Sequence, residues 1–455
     1  MKNRIDKNSE DRQLSELREY LFDIQIEKID AVVDELRYRV PDVMSGWNDL
    51  YQAKFHLSED VAGKIDGRIV DCLEVLKQLP DKDITVYDHT VGCPTKCTYC
   101  GYNTISPPPL RGEIMKQLEL KKREREILFK RIGNKRITGL YFGGGTPTVL
   151  GDDLLGELIS GYKKDFSYSD EIEVTVEAHP ATFDIRKLTT LANSGVNRLS
   201  IGVQSLDDRV LKHCNRNYSE YQVLEVVSKA VQKIGIVNVD LIYGLKGQSI
   251  DEHLQALKKL TYLGVEQFTI YAAWLKEGSK ITREFQSGKF QGYASPMERA
   301  KMYLAGKYFL ESRGYKETLS GWFSRNEDVR IYQKRWVDKV PCIGIGPGAY
   351  SYSKDWHYEN VWDLSEYGKN IDANKLPVKS FVRFGEKEKE VVDLMWKLKS
   401  GGSFEVSELQ TDLLTDYLDN NLLEQDMGRY RLTEMGEVVR EWIIGDIIAR
   451  LRRKD

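Results

Sequence analysis

Cys93-Pro94-Thr95-Lys96-Cys97-Thr98-Tyr99-Cys100 places three thiols within eight residues, and no other run in the chain concentrates reactive groups so closely. Three thiolates on one short loop can bind three corners of a cubane iron–sulfur cluster. A ferredoxin supplies a fourth cysteine, whereas here the run continues Gly101-Tyr102-Asn103, so one iron is expected to lack a protein ligand and to be open to a small molecule. The competing reading is a structural zinc site closed by His89, because three cysteines and a histidine are a common zinc set. The C-x₃-C-x₂-C spacing is unusual for zinc, and a zinc site leaves a second feature unexplained: Phe142-Gly143-Gly144-Gly145-Thr146-Pro147. Successive glycines permit positive φ and let a ligand approach the backbone, whose N–H and C=O groups can hold an amino acid's carboxylate or ammonium. Alone, such a run reads as a tight turn after a strand. Beside the cysteine triad it reads as a ligand loop.

The elements that must position these groups begin near residue 85. Short β-rich stretches (ITVYDHT, ITGLYFGG, EIEVTVEA, NRLSIGVQ, VNVDLIYGL, QFTIYAAWL) alternate with amphipathic helical stretches, the pattern of parallel βα units. Six such units predict an α/β fold, a partial or complete TIM-like barrel, in which reactive groups gather at the strand C-terminal ends. Each of the first four predicted strands runs into a notable group: HTVGC after the first, GGGTP after the second, Glu177 at the end of the third, Gln204 closing the fourth. Residues 1–84 are charged, with Leu14, Leu17, Leu21 and Ile24 at helical spacing, and are expected to form a helical extension. Residues 85–379 hold the barrel and a substrate-covering region. From 380 onward, helices precede LLEQDMGRYRLTEMG, a two-stranded wing turning at Met427–Gly428, and a last helix follows: a winged-helix-like domain.

Composition excludes several partners. With 67 basic and 70 acidic residues among 455, the net charge of -3 gives no field that favours nucleic acid or an anionic membrane. Glu424, Asp426, Glu434 and Glu437 stand on and beside the wing and disfavour phosphate contact. No apolar run approaches the roughly 18 residues of a membrane span, and the start lacks the apolar core of a signal peptide, so a cytoplasmic location is expected. Cys72, Cys214 and Cys342 are scattered and read as buried structural residues. His179, His213, His253 and His357 have no metal spacing, and His89 reads as a ring packed under the cysteine loop.

The pairing of C-x₃-C-x₂-C with GGGTP resembles the radical S-adenosylmethionine superfamily. The stretches YFGGGTPT, NRLSIGVQS, VNVDLIYGL, GIGPGAYSY and LLEQDMGRYRLTEMG resemble, in order, its oxygen-independent coproporphyrinogen III oxidase-like (HemN-like) branch, from Tyr87 to the C-terminus. The resemblance implies a [4Fe–4S] cluster on Cys93, Cys97 and Cys100. A first S-adenosylmethionine would chelate the open iron and contact Tyr87, Gly144, Glu177 and Tyr350, with Tyr87 and Glu177 nearest the chemistry. A second would be surrounded by Tyr99, Gly145, Thr146, Gln204, Arg216, Asp240 and Ala272. The side chains are chemically suited to these roles, since Glu177 and Asp240 can bond ribose hydroxyls or an ammonium, and Arg216 can bond a carboxylate.

The chain also departs from the branch. His89-Thr90-Val91-Gly92 stands where members carry His-Ile-Pro-Phe, and Tyr102 stands where the coproporphyrinogen oxidases have a further cysteine. Ile331 and Tyr332 occupy the positions of the His-Asn pair of the branch's heme chaperones. The resemblance therefore implies reductive cleavage of S-adenosylmethionine, fed by a low-potential donor such as flavodoxin or ferredoxin, and leaves three outcomes open. One is oxidative decarboxylation, or methylation with ring opening, of a tetrapyrrole or similar conjugated ring. Another is a class C methyltransferase or cyclopropanase acting on a heteroaromatic natural product. The third is a non-catalytic heme chaperone. Tyr271, Trp274, Trp322, Phe323 and Trp336 are aromatic candidates for stacking on a flat substrate or for core packing.

Overall fold

A computed structural model describes residues 27–40, 83–133, 135–326 and 340–453. Its frame is one sheet of twelve strands in the order β12-β11-β10-β9-β1-β2-β3-β4-β5-β6-β8-β7. The first six are β1 (Ile84–Thr90), β2 (Ile137–Gly144), β3 (Tyr168–Ala178), β4 (Arg198–Gln204), β5 (Ile236–Tyr243) and β6 (Gln267–Ala272), each parallel to the next. Helices Arg111–Ile132, Asp152–Asp165, Ile185–Asn193, Glu220–Lys233 and Ile250–Tyr262 lie between successive strands. The barrel is partial. Beyond β6 come β8 (Trp322–Ser324) and β7 (Lys316–Leu319), antiparallel. On the other flank β9 (Cys342–Ile345) runs parallel to β1 and leads to β10 (Tyr350–Tyr352), β11 (Trp356–Asn360) and β12 (Val378–Arg383).

Strand residues alternate between two environments. Val86, Leu140, Phe142, Val174, Val176, Leu199, Ile201, Val239, Leu241, Phe268 and Ile270 are buried in the main hydrophobic core. Their alternates, Thr85, Tyr87, His89, Tyr141, Glu173, Thr175, Glu177, Arg198, Ser200, Asn238, Asp240, Gln267, Thr269 and Tyr271, form the opposite face. A period of two puts them on one side of the sheet, so the inner face of the barrel is polar along nearly its whole length.

Helix starts are locally encoded. Ser219, Ser249 and Ser295 cap Glu220–Lys233, Ile250–Tyr262 and Pro296–Ser312, each in a capping box with the residue three positions on. Residues 27–39 form a helix whose Ile29, Val33 and Leu36 join the core, and Lys28 pairs with Glu434 at 2.6 Å. Residues 1–26 and 41–82 of the predicted N-terminal extension, Cys72 among them, lie outside the described residues, as do Ile331, Tyr332 and Trp336.

After β12, helices Glu386–Lys399 and Glu408–Asp419 precede the hairpin of β13 (Leu423–Asp426) and β14 (Arg429–Leu432), and helices Glu434–Val438 and Arg440–Arg453 follow. The two-residue turn is Met427 (φ 47) and Gly428 (φ 80), the double positive φ of a type I′ hairpin. This is the winged-helix-like arrangement expected from the sequence. No helix of the described residues is long and apolar enough to cross a membrane.

Candidate functional site at the strand C-termini

The cysteine loop leaves β1 at Thr90 and is closed by its own backbone, Ile105 N donating to Val91 O at 2.8 Å and Cys93 N to Ile105 O at 2.9 Å. It is stitched to two other strand-end loops. Thr98 N donates to Cys214 O (3.2 Å), Ile281 N to Thr98 O (3.1 Å), and Asn215 Nδ2 to Lys96 O (2.9 Å). Cys93, Cys97 and Cys100 are free and half-buried. Cys93 Sγ lies 3.4 Å from Thr146 Oγ1, and burial pushes the Cys93 thiol up to about 11 against the opposing effect of Thr146. Holding the thiolate form there requires a positive partner, which is what a cluster iron provides. Among the described residues no three His, Cys, Asp or Glu side chains are close enough to hold one metal ion. A cubane asks something different of its loop, one thiolate on each of three separate irons. The donor set therefore fits a cluster.

The glycines at the end of β2 and just beyond it have a more local reason than ligand approach. Gly144 (φ +104) packs on His89 and Thr90, and a Cβ there would lie 2.7 Å from His89 Nδ1 and from Thr90 O. A Cβ on Gly145 would lie 2.5 Å from Gly92 O, and Gly145 N donates to Thr90 O at 2.6 Å. The run lets two loop backbones touch, which locks the cysteine loop to β2.

On β1–β3 the first set of predicted residues meets. Tyr87 is paired in register with Tyr141, their rings 6.1 Å apart. Glu177 Oε1 accepts from Tyr141 OH at 2.7 Å and Oε2 from Gly144 N at 3.1 Å. Burial, helped by the Asp240 charge and opposed by these two bonds, raises the Glu177 carboxyl to about 7. Tyr87 OH bonds His89 Nδ1 at 2.9 Å. Burial lowers His89 to about 3, with the Lys121 charge adding to it, so the ring is neutral. It is packed as expected, edge-on to Trp362 at 5.9 Å. Tyr350 lies on β10, one strand beyond β9, which pairs with β1, and its ring is 5.6 Å from that of His357.

On β4–β6 the second set meets. Arg216 donates to Tyr99 OH through Nε (3.1 Å) and Nη2 (2.8 Å), and its guanidinium also lies over the Tyr218 ring. Gln204, with φ 69, is a strained non-glycine end to β4, and its Oε1 accepts from Tyr271 OH at 3.1 Å. Asp240 accepts from Ser200 Oγ at 3.1 Å and Asn238 Nδ2 at 2.8 Å, and burial raises its carboxyl. Thr146 and Gly145 belong with the cysteine loop, and Ala272 is buried at the end of β6.

Sequence reasoning does not single out Tyr141 or Arg198. Arg198 is buried, donates to Gln267 Oε1 at 2.9 Å, and has two terminal nitrogens without hydrogen-bond partners among the described residues. Its charge acts on both carboxyls, opposing the rise at Glu177 and at Asp240. A signal exists: Arg198 lies six residues before Gln204 and Tyr141 two before Gly143, so a period of two puts each on the inner face. Of the aromatic candidates, Tyr271 and Trp274 adjoin each other near the mouth (6.2 Å), while Phe323 is fully buried in the core.

Residues 87–260 match the radical SAM superfamily. The chain is 26% identical over 381 residues to a heme chaperone HemW of Mycobacterium tuberculosis, covering 82% of this chain and 97% of that one. It is 30% identical to the zebrafish (Danio rerio) mitochondrial radical S-adenosyl methionine domain-containing protein 1, over 59% of this chain and 60% of that one. It is 23% identical to an anaerobilin synthase of Escherichia coli O157:H7, over 73% and 74%. In fold it resembles the coproporphyrinogen III oxidase HemN of Escherichia coli, with a TM-score of 0.75 over 88% of this chain and 96% of that one at 21% identity. The cysteine loop lies within the stretch, residues 87–260, that matches the radical SAM superfamily, and the chain resembles the HemN-like family in sequence and in fold.

Proposed function

We propose that this chain holds a [4Fe–4S] cluster on Cys93, Cys97 and Cys100, binds two S-adenosylmethionine molecules, and performs radical chemistry on a tetrapyrrole or similar conjugated ring. The observation that carries the reading is the division of polar strand-end residues into two sets flanking one cysteine loop. Tyr87, Tyr141, Glu177 and Gly144 lie on β1–β3, and Tyr99, Arg216, Gln204, Asp240 and Tyr271 gather about β4–β6. When bound, the cluster supplies one low-potential electron to the sulfonium of S-adenosylmethionine, releasing methionine and a 5′-deoxyadenosyl radical. The protein's part is to position and to exclude water. Glu177, titrating near 7, can donate or accept toward a ribose hydroxyl, and Arg216 presents a fixed cation to a carboxylate. A flavodoxin- or ferredoxin-like donor would supply the electrons.

Two other outcomes have specific support. The name of the Mycobacterium relative favours heme carriage, and the second residue set favours methyl or methylene transfer to a heteroaromatic carbon. Anaerobic reaction of the cluster-loaded protein with S-adenosylmethionine, a reductant and either a tetrapyrrole or a heteroaromatic acceptor separates them by mass spectrometry of the products. The proposal predicts 5′-deoxyadenosine together with a modified ring. Methyl transfer to a non-tetrapyrrole acceptor only, with S-adenosylhomocysteine, supports the second reading. Tight heme binding without nucleoside turnover supports the chaperone and overturns the proposal.

A further inference from the structure

Four strand-end loops concentrate positive charge. Segment 93–105 contains Lys96 and no acidic residue, 212–217 contains Lys212 and the buried Arg216 and no acidic residue, and 244–249 contains Lys246 and none. Segment 274–292 adds Lys276, Lys280, Arg283 and Lys289 against Glu277 and Glu284. With Arg216 left aside, seven cations stand against two carboxylates on these loops, in a chain whose net charge is -3. Of the seven, only Lys280 has an acidic partner among the described residues, Glu284 at 3.6 Å. Lys96, Lys212, Lys280, Arg283 and Lys289 are exposed, and Lys246 and Lys276 partly so.

The loops are joined in a circuit of hydrogen bonds. Thr95 Oγ1 donates to Asn215 O at 3.1 Å, and Asn215 Nδ2 donates to Lys96 O at 2.9 Å. His213 Nδ1 lies 3.3 Å from Lys246 O, Gly247 N donates to Gly292 O at 2.7 Å, and Ile281 N returns to Thr98 O at 3.1 Å. Where the circuit closes, Lys276 lies over the ring of Tyr102, two residues past Cys100, and Lys96 Nζ donates to Tyr102 O. Tyr102 is 51% exposed. An exposed aromatic ring beside cations that lack acidic partners has the make-up of a protein-binding patch, in which the ring anchors and the charges steer.

We propose that the outer face of these loops, with Tyr102 as its aromatic anchor, docks the acidic surface of a low-potential electron-carrier protein. Charge and place select this occupant. A basic patch on a chain whose remaining residues carry net negative charge attracts a compact acidic partner there and repels it elsewhere, which orients the encounter. The docked partner covers the loop that bears Cys93, Cys97 and Cys100, so the one electron it loses is the one the cluster gains, with no bond made or broken. Electron-transfer contacts are small, below about 1,200 Å² in total, which suits four loops rather than a deep groove. The proposal rests on the reading of the three cysteines as cluster ligands and adds where the donor sits.

The test uses the cluster-loaded full chain, with an acidic flavodoxin and an acidic ferredoxin as probes. The triple variant Lys212→Glu, Lys280→Glu, Lys289→Glu changes three exposed side chains, none of them a proposed cofactor contact. It is expected to weaken carrier binding at least about tenfold in anaerobic titrations at low salt, and to slow cluster reduction by the carrier by a similar factor. Both differences should shrink as salt rises toward about 0.5 M. Reduction by dithionite, which needs no docking, and iron and sulfide content should be unchanged. A control with the same change in charge on the β10–β12 flank, Lys354→Glu, Lys369→Glu, Lys375→Glu, should bind the carrier within about twofold of wild type. Equal effects of the two triple variants overturn the docking surface, as does the absence of carrier binding by wild type. Unchanged carrier binding with weakened binding of a carboxylated tetrapyrrole assigns the cations to substrate and also overturns it. A wild-type chain that takes up no iron or sulfide is the separate failure of the cluster reading.

Discussion

Glu177→Gln tests whether the barrel interior imposes the electrostatics described for it. In the folded protein burial raises the Glu177 carboxyl from 4.5 to about 7, and in the unfolded chain it titrates near its ordinary value. Between those two pH values the folded state keeps a proton that the unfolded state releases. The contribution to stability is therefore full below about pH 4.5 and is lost as pH rises through about 7. A difference of that size is equivalent to about 3 kcal/mol at most. Glutamine is near-isosteric and cannot ionise. Its amide oxygen can accept from Gly144 N, and its NH₂ can donate to Tyr141 oxygen if the phenol turns. The variant should match wild type within about 1 kcal/mol near pH 5 and exceed it by about 3 kcal/mol near pH 8. Glu124, whose carboxyl is also raised by burial, titrates in both proteins and cancels in the comparison, whereas Asp240 acts on Glu177 and its own titration is part of the difference. Anaerobic denaturant titrations of both proteins at each pH read the difference. Parallel pH profiles would refute the claim that the barrel interior disfavours this charge. The variant should also bind S-adenosylmethionine more weakly, the cost expected where a site is kept at the expense of stability.

Three other substitutions probe the same geometry. Lys121→Met leaves the fully buried Asp88 side chain, among the described residues, with only Tyr162 OH at 2.6 Å and releases the bond to His89 O, so it should destabilise by about 3–5 kcal/mol in thermal or denaturant unfolding. Gly144→Ala places a Cβ 2.7 Å from Thr90 O at a φ of +104, and should lower cluster retention, measured as iron per chain after desalting, by displacing the cysteine loop. Arg216→Met leaves the Tyr99 hydroxyl buried without its donor. On the proposal of two S-adenosylmethionine molecules, it should weaken binding of one in equilibrium dialysis while leaving the other unchanged.

What the sequence discloses and what it hides have a common physical origin. β1 and β2 appear at the residues predicted, because a run of alternating β-formers bounded by glycine and proline is a local signal. The wing turns at Met427–Gly428 for the same reason. The strands that flank the partial barrel, β7 to β12, are three to six residues long, and their pairing is set by distant neighbours rather than by their own pattern. Helix Arg111–Ile132 is legible as a helix, but not that Lys121 reaches Asp88 or that Glu124 accepts from Tyr367, Asn360 and Gly346 some 220–240 residues away. The triple glycine reads from sequence as a ligand loop, and its close packing on His89 and Gly92 emerges only when both loops are in place. The inner-face residues Tyr141 and Arg198 are reachable by counting in twos from Gly143 and Gln204.

The central claim is that three thiols on one loop leave one corner of an iron–sulfur cubane open to a sulfonium cofactor. Iron and acid-labile sulfide analysis of the anaerobically reconstituted chain, with electron paramagnetic resonance of the reduced protein before and after adding S-adenosylmethionine, tests it directly. The account predicts about four irons and four sulfides per chain and a spectrum that changes on addition, with both lost in Cys97→Ala. Stoichiometric zinc without iron or sulfide, or a cluster spectrum indifferent to S-adenosylmethionine, would contradict it.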